Sequence, residues 1–278
     1  MIVKTAKITL DAIARNRSLA SQIYEIIDQI QGYLKNRACR NAISEIEQYV
    51  RVRKGVRVQR GPFAGTLFPV TEITSVKELL PQVLGSYEAE LHTALERLFE
   101  NNYQQIINVG AGWGYYCVGL ARCFPDVEIH AFEMDEHRRA VCQQVAELNG
   151  VSDQLMLHGV CDTAELKNVL PGENGLLVVD CEGYERELLC PDKIDGFQNV
   201  DLLVEIHDHH AQGPTTGEIL CERFRHTHEI TSINPQPKDP DNYPELESVK
   251  RFFGKHLLEE GRVYSTGWLC LCSKQRTS

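Results

Sequence analysis

The sequence predicts a doubly wound α/β fold, in which a helical accessory region precedes a seven-stranded, mostly parallel sheet. Three observations support this prediction. From residue 104 onward, five apolar strand-like segments alternate with helical patterns, which is typical of a parallel sheet. The first of these segments leads directly into a glycine-rich turn, "NVGAGWGYY", at 108–116. Two more strand-like segments follow near the carboxyl terminus without comparable helices, as in an antiparallel hairpin.

The amino-terminal part, residues 1–99, is expected to form an accessory region that acts as a cap or in oligomerisation. Apolar residues such as Ile23 and Ile26 recur at helical spacings, and we predict a helix within residues 5–50. The Gly and Pro residues of "GPFAGTLFPV" are typical of turns between short strands. A further helix is expected in "SYEAELHTALERLFE", with Ser86 as its N-cap.

The sheet domain is expected to span residues 100–278. Its predicted strands, in chain order, are "QIINV", "VEIHAFE", "QLMLHGV", "GLLVVD", "DLLVEIH", "HEITSIN" and "STGWLCLCSK". The first predicted helix is "WGYYCVGLARCF", with Trp113 and Tyr116 on its apolar face. The second begins at Asp135, which can cap it, and ends at Asn149 and Gly150.

Composition and charge exclude some classes of protein. A net charge of −10 argues against a general nucleic-acid or anionic-membrane surface, since such surfaces are positive. The ten cysteines include no CxxC pair, and we interpret most of them as buried apolar residues in a reducing compartment. No apolar stretch reaches ~18 residues, the length that a bilayer crossing requires. A cytoplasmic protein without a membrane span is therefore expected.

One local exception is the basic run at 51–60, "RVRKGVRVQR". Such a run is either a solvated strand or linker, or a surface that binds an anionic substrate.

The glycine turn constrains the ligand. Its spacing is Gly110-x-Gly112-x-Gly114, and position 115 is Tyr115, so it departs from the G-x-G-x-x-G pattern of a dinucleotide site. A P-loop is excluded, because no Gly-Lys-Ser/Thr follows. The turn brings the backbone close to a ligand but is a poor match to a pyrophosphate cradle.

An acidic residue ends the next predicted strand. Glu133 lies 23 residues after Gly110, and its two carboxylate oxygens can accept both hydroxyls of a ribose. That role is compatible with NAD and with any other adenosine ligand. The neighbouring Met134 either packs against an adenine face or belongs to the core.

These motifs together resemble a known family. "NVGAGWGYYCVGLA" with the downstream "FEMD" is similar to the first two motifs of class I S-adenosylmethionine-dependent methyltransferases. "GPFAGTLFP", "LLPQVLGSYEAELH", "LLVVDCEGYERELL" and "LLVEIHD" resemble segments of the FkbM-type family within that class, over roughly residues 60–210. The resemblance implies a Rossmann-like methyltransferase fold, S-adenosylmethionine as cofactor, and methylation of a substrate hydroxyl. Asn108 stands where that family usually has an acidic residue.

The resemblance also implies a set of site residues. The cofactor would be held by Asn108, Gly110, Ala111, Gly112, Glu133, Met134, Cys161, Asp162 and Tyr87. Asp162 would accept from the adenine amine, or else only cap the following helix.

Asp180, Glu182 and His207 would face the acceptor, with His207 as the candidate base because its ordinary pKa is about 6.5. In the alternative interpretation, His207 and Glu182 only bind backbone groups at strand ends.

A metal site is open at the same strand ends. Asp180, Glu205, His207 and Asp208 offer oxygen and nitrogen ligands that a divalent ion could bind, but the resemblance does not demand a metal and none is expected.

The expected partner is a small-molecule acceptor, such as a sugar, a lipid-linked intermediate or a natural-product hydroxyl, and no nucleic acid. Self-association through the amino-terminal region stays open. The alternatives are a non-catalytic module that binds the same cofactor, and an NAD-dependent oxidoreductase, for which no Tyr-x-x-x-Lys pair is found.

Overall fold

The structure confirms the predicted sheet. This computed structural model describes residues 17–50, 56–69, 76–208, 213–247, 257–258, 260 and 267–275. A seven-stranded sheet has the order β5-β4-β3-β6-β7-β9-β8, and a two-stranded sheet pairs β1 with β2. The strands are β1 (Val56–Arg57), β2 (Leu67–Phe68), β3 (Gln105–Val109), β4 (Glu128–Phe132), β5 (Leu155–His158), β6 (Gly175–Val179), β7 (Val200–Glu205), β8 (His228–Ile233) and β9 (Trp268–Ser273).

Strand β3 lies at the centre of the parallel part, where the strand order reverses. Asn108 in β3 is level with Ala131 in β4 and with Val178 in β6. Strand β9 is antiparallel to both of its neighbours, and its Trp268 is level with Glu205 in β7. This is the Rossmann-like arrangement, and ligands of such sheets bind at the carboxyl ends of the strands beside the reversal. The ends of β3, β4, β6 and β7 are therefore the place to look for a site.

Helices cover both faces of the sheet. The described α-helices are α1 (Arg17–Val50), α2 (Val76–Leu84), α3 (His92–Leu98), α4 (Tyr115–Cys123), α5 (Glu136–Asn149), α6 (Thr163–Val169), α7 (Glu185–Leu188) and α8 (Thr216–Phe224), and of these α1 packs on α2 and β1 rather than on the seven-stranded sheet. Alternate residues of β6 enter different cores, since Leu176 and Val178 belong to one apolar cluster and Leu177 and Val179 to the other. A strand buried on both sides must be apolar throughout, which explains its unbroken apolar sequence.

The local signals predicted for α5 are confirmed. Asp135 accepts a hydrogen bond from the Arg138 amide at 2.8 Å, and the helix ends at Gly150, whose φ is 71°. The prediction for Ser86 is wrong. Its hydroxyl donates to the Pro81 carbonyl, and Glu88 interrupts the chain with a φ of 46° before α3 begins. Trp113 lies in the glycine turn, because α4 begins only at Tyr115.

The segment that carries β1 and β2 packs directly on the residues that follow the glycine turn. Phe63, in the turn between β1 and β2, contacts the Tyr115 ring edge-on at a centroid distance of 5.2 Å. Helix α1 leaves several apolar side chains exposed, among them Ile26, Ile30 and Tyr33. None of the described helices has both the length and the apolar character that a bilayer crossing needs.

Candidate active site

The glycine turn contacts the end of β6. Gly110 has a φ of 85°, and a Cβ atom there would lie 1.7 Å from the Asp180 carbonyl oxygen, so only glycine fits. Gly112 also has a positive φ, of 53°, but a Cβ at that position would have nothing within 4 Å. The first glycine is thus required by packing, whereas the second borders open space at the edge where a ligand is expected.

Glu133 closes the other side of this turn. Its Oε2 accepts from the Gly112 amide at 2.8 Å, and its Oε1 accepts from the Asp135 amide at 2.9 Å. The side chain is buried, and Arg139 donates to its backbone carbonyl at 2.6 Å. The carboxylate is therefore held in one orientation, and each oxygen retains a second lone pair for a ligand hydroxyl.

Three other predicted cofactor residues differ in accessibility. Asn108 is fully buried under the turn, and its Nδ2 donates to the Val178 carbonyl at 3.4 Å. Ala111 is buried in the turn itself, and its amide donates to the Phe132 carbonyl at 2.9 Å. Met134 is 76% exposed, so it is not a core residue and is available to a ligand.

Cys161 and Asp162 follow β5. Asp162 Oδ1 accepts from the amides of Ala164 and Glu165 at 2.8 and 2.9 Å, so the structure shows the helix-capping role for this residue. Burial raises the pKa of Cys161 to about 12, which keeps its thiol protonated. The capping bonds occupy Oδ1 and place the carboxylate at the same sheet edge as Glu133.

The predicted acceptor residues converge at the ends of β6 and β7. His207 Nε2 lies 3.8 Å from Asp180 Oδ1 and 3.6 Å from Glu182 Oε2. The same nitrogen lies 3.8 Å from Glu205 Oε2. Asp180, Glu205 and His207 form a group whose candidate ligand atoms all lie within 4.8 Å of one another. Three carboxylates therefore surround one imidazole nitrogen.

A fourth carboxylate holds the other side of the imidazole ring. Glu185 Oε1 lies 2.9 Å from His207 Nδ1 and also accepts from the Gly183 amide at 3.1 Å. Burial lowers the pKa of His207, but the bond to Glu185 and the charges of Glu205 and Asp180 outweigh it and raise that pKa to about 9. A pKa in that range favours the protonated imidazole at neutral pH in this state.

The pKa of Asp180 is raised as well. Burial and the nearby charge of Glu205 raise the pKa of Asp180 well above its ordinary value, although His207 lowers it in part. Its Oδ1 is buried and accepts no hydrogen bond from the described residues. A carboxylate with a raised pKa is a better proton acceptor near neutral pH than an ordinary one.

An aromatic wall borders these carboxylates. Tyr87 packs edge-on against Tyr115 at 5.0 Å, and Tyr116 lies 5.9 Å from Trp268. Burial raises the pKa of Tyr87 well above its ordinary value, and the charges of Glu88, Asp180 and Glu205 add to the effect. Tyr87, predicted on the cofactor side, therefore also lies within electrostatic range of the acceptor-side carboxylates Asp180 and Glu205.

Sequence reasoning missed one carboxylate that completes the site, Glu185, whereas the resemblance implies Glu88, beside Tyr87, as a possible cofactor-side contact. Glu185 was contained in a motif without being assigned a role, although its position opening α7, three residues after Glu182, was a usable signal. Glu88 is buried and contacts the Tyr116 hydroxyl, and its amide donates to Glu260 at 2.7 Å.

Two other sequence candidates bind protein groups instead. Asp208 Oδ1 accepts from the Thr216 amide at 2.6 Å, so Asp208 fixes the start of α8 and is not in the acidic group. In the basic run, Arg60 pairs with Glu245 at 2.5 Å and Arg57 donates to the Gly65 carbonyl. Residues 51–55 of that run lie outside the described residues.

Comparisons with known proteins give structural likenesses only. No family profile matches the chain, and no curated protein sequence matches it. Solved structures that it resembles include the O-methyltransferase TomG from Streptomyces achromogenes, in complex with SAM, at 14% identity and a TM-score of 0.43, covering 84% of this chain and 89% of that one.

Two further solved structures are similar at the same level. The precorrin-6y C5,15-methyltransferase from Geobacter metallireducens shows 11% identity and a TM-score of 0.41, over 74% of this chain and 92% of that one. TrmK of M. capricolum, in complex with S-adenosyl-homocysteine, shows 12% identity and a TM-score of 0.42, over 66% and 69%.

Proposed function

We propose that this protein is an S-adenosylmethionine-dependent methyltransferase that acts on a substrate oxygen. The observation that carries the proposal is the junction at the end of β3. There Gly112 borders open space, and its amide donates to the buried carboxylate of Glu133. Gly110 lies against the backbone of Asp180, the first residue of the acidic group. A nucleoside bound at this junction would lie beside the acceptor residues.

The cofactor side fits an adenosine with a compact, phosphate-free tail. Glu133 would accept the ribose hydroxyls with the lone pairs that its backbone bonds leave, and Met134 would cover the adenine. Asp162 would receive the adenine amine on Oδ2, since its capping bonds use Oδ1. Asn108 would support the turn from below, because it is buried against β6.

Bound S-adenosylmethionine supplies an electrophilic methyl group on a sulfonium. The residues of this chain have two tasks, which are to hold the acceptor oxygen in line with that group and to take its proton. Asp180 is suited to receive the proton, because its pKa is raised and it directly follows β6. Protonated His207 would keep the neighbouring carboxylates of Glu182 and Glu205 oriented.

The experiment that tests the proposal has two arms. S-adenosylhomocysteine is expected to raise the melting temperature of the protein, while NADH is expected not to, because a ligand stabilises the native state that binds it. Protein incubated with methyl-labelled S-adenosylmethionine and a metabolite extract should then yield a labelled small molecule. Its label should be attached to oxygen and should remain attached after treatment with base.

The same incubation with Asp180→Asn provides the control for chemistry. This variant is expected to retain the thermal shift with S-adenosylhomocysteine and to lose labelled product. A shift with NADH alone would refute the proposal in favour of an oxidoreductase. Binding of S-adenosylhomocysteine without labelled product in any extract would favour a non-catalytic module.

A further inference from the structure

The acidic group at the ends of β6 and β7 has the spacing of ligands around one ion. His207 Nε2 lies 3.8 Å from both Asp180 Oδ1 and Glu205 Oε2, which is too long for a direct hydrogen bond. Two ligand atoms bound to one ion at about 2.1 Å are separated by about 3 Å at a right angle and by at most about 4.2 Å. Both distances from His207 Nε2 lie within that limit. The candidate ligand atoms of all three residues lie within 4.8 Å of one another, so only a small movement would bring them around one ion.

Glu185 holds the imidazole in the orientation that a metal ligand requires. It is buried and binds His207 through Nδ1 at 2.9 Å, which turns Nε2 toward Asp180 and Glu205. A histidine that binds a metal almost always has its other ring nitrogen bound to a carboxylate, a carbonyl or water, and that contact fixes the ring. The Glu185 carboxylate is itself fixed by the Gly183 amide at 3.1 Å.

The charge of the group also calls for a cation. Three carboxylates of low exposure, those of Asp180, Glu185 and Glu205, lie around His207, and the exposed Glu182 lies beside them. Buried carboxylates are normally paired or bind a metal. A separate observation is that Asp180 Oδ1, a buried oxygen, accepts no hydrogen bond from the described residues.

We propose that Asp180, Glu205 and His207 bind one divalent cation, and that the cation holds the oxygen of the methyl acceptor. The cation would replace the proton on His207 Nε2, because metal ligands must be deprotonated. Asp180 would bind through Oδ1, which leaves its Oδ2 for the proton of the acceptor. Two carboxylates with one imidazole suit an ion of the Mn²⁺ type, with further positions left for water or substrate oxygen. Glu182 is exposed and lies 3.6 Å from the same nitrogen, where it would contact the ion through water. The role toward the acceptor rests on the proposed function, whereas binding of the cation does not.

Binding is tested with Mn²⁺ on the full chain after removal of metal with EDTA. The amplitude of the free-ion signal in electron paramagnetic resonance, together with calorimetry, gives the stoichiometry and affinity. One Mn²⁺ per chain is expected, and Glu205→Gln and His207→Gln should each weaken the binding by at least about 10-fold. Glu185→Gln should weaken it by about 10- to 100-fold, as other residues that orient metal-binding histidines do. Asp153→Asn, a change at an exposed carboxylate elsewhere, should leave it unchanged.

Circular dichroism establishes whether each variant is folded. If a variant is unfolded, the titration of the wild type with Mn²⁺ tests the proposed site. Absence of Mn²⁺ binding by the wild type up to about 1 mM, a weak-affinity limit, would overturn the inference. Binding that is unaffected by Glu205→Gln and His207→Gln in folded protein would overturn it as well. S-adenosylhomocysteine binding is measured on the metal-free protein in parallel. If that cofactor binds and Mn²⁺ does not, only the cation site fails; in the reverse result, only the proposed function fails.

Discussion

The ribose role of Glu133 gives the sharpest prediction, through the change Glu133→Gln. The carboxylate accepts from the Gly112 amide at 2.8 Å and from the Asp135 amide at 2.9 Å. Glutamine keeps one oxygen, so its amide group must face one of these two N–H donors. One charged hydrogen bond is lost, and the free energy of unfolding should fall by about 1.5–3 kcal/mol.

The same change removes an acceptor for the ribose hydroxyls. A loss of similar size on that side corresponds to a dissociation constant for S-adenosylhomocysteine that is raised about 10- to 100-fold, at about 1.4 kcal/mol for each factor of ten. Calorimetric titration measures the affinity, and thermal unfolding measures the stability. Glu147→Gln, a change at an exposed carboxylate in α5, is the control and should change neither. If folded Glu133→Gln binds the nucleoside as tightly as the wild type, the ribose assignment is wrong.

Three further predictions concern the turn and the acidic group. In EDTA-treated protein, the pKa of His207 measured by NMR is expected near 9. Because this folded-state pKa is raised above about 6.5, protonated His207 stabilises the folded protein fully at low pH. That contribution to the free energy of unfolding disappears as the pH rises through 9. Glu185→Gln should bring that pKa back toward its ordinary value, and an unchanged titration would contradict the contact. Gly110→Ala should prevent folding or cost several kcal/mol, since its Cβ would lie 1.7 Å from the Asp180 carbonyl. Gly112→Ala should lower the free energy of unfolding by only about 1–2 kcal/mol, because its backbone is left-handed, yet it should abolish S-adenosylhomocysteine binding. Equal melting temperatures for Gly110→Ala and Gly112→Ala would contradict the different roles of the two glycines. Asp180→Asn should lower turnover about 100- to 10,000-fold with nucleoside affinity retained, as expected for loss of a proton acceptor; unchanged turnover in a labelled-product assay would exclude that role.

The sheet could be predicted from sequence because its signal is local and physical. The segment "QIINV" is β3 without a change of boundary, and the other strands agree to within a few residues, since a strand covered on both faces must be continuously apolar. The antiparallel relation of β8 and β9 follows from the sequence, in which no comparable helical alternation accompanies the two segments. The insertion of β9 between β7 and β8 does not, because strand order depends on packing that no local pattern encodes.

The sequence predicts which residues form the site better than it predicts the contacts between them. Strand ends identified Asp180, Glu182 and His207, since parallel strands bring their carboxyl ends to one edge. The state of His207 was not predictable, because it depends on Glu185, which lies 22 residues earlier and reaches the ring only through the paired register of β6 and β7. Sequence reasoning took the ordinary pKa of an isolated imidazole. Glu185, Glu205 and Asp180 raise the pKa of His207 above that value.

The three glycines show why spacing alone could not identify the ligand. Gly110 is required because the end of β6 lies against its backbone. Gly114 is required because it precedes α4 with a φ of 98° and lies close to Cys142. Both are needed by the fold whatever the turn binds. Only Gly112 borders open space, and only its amide meets the carboxylate of Glu133. That amide already donates to a carboxylate, so it is not left as an N–H donor for a pyrophosphate. A carboxylate at the end of β4 is itself compatible with the ribose of either ligand. The number of glycines therefore cannot distinguish a dinucleotide from a sulfonium nucleoside, because two of the three are fixed by packing.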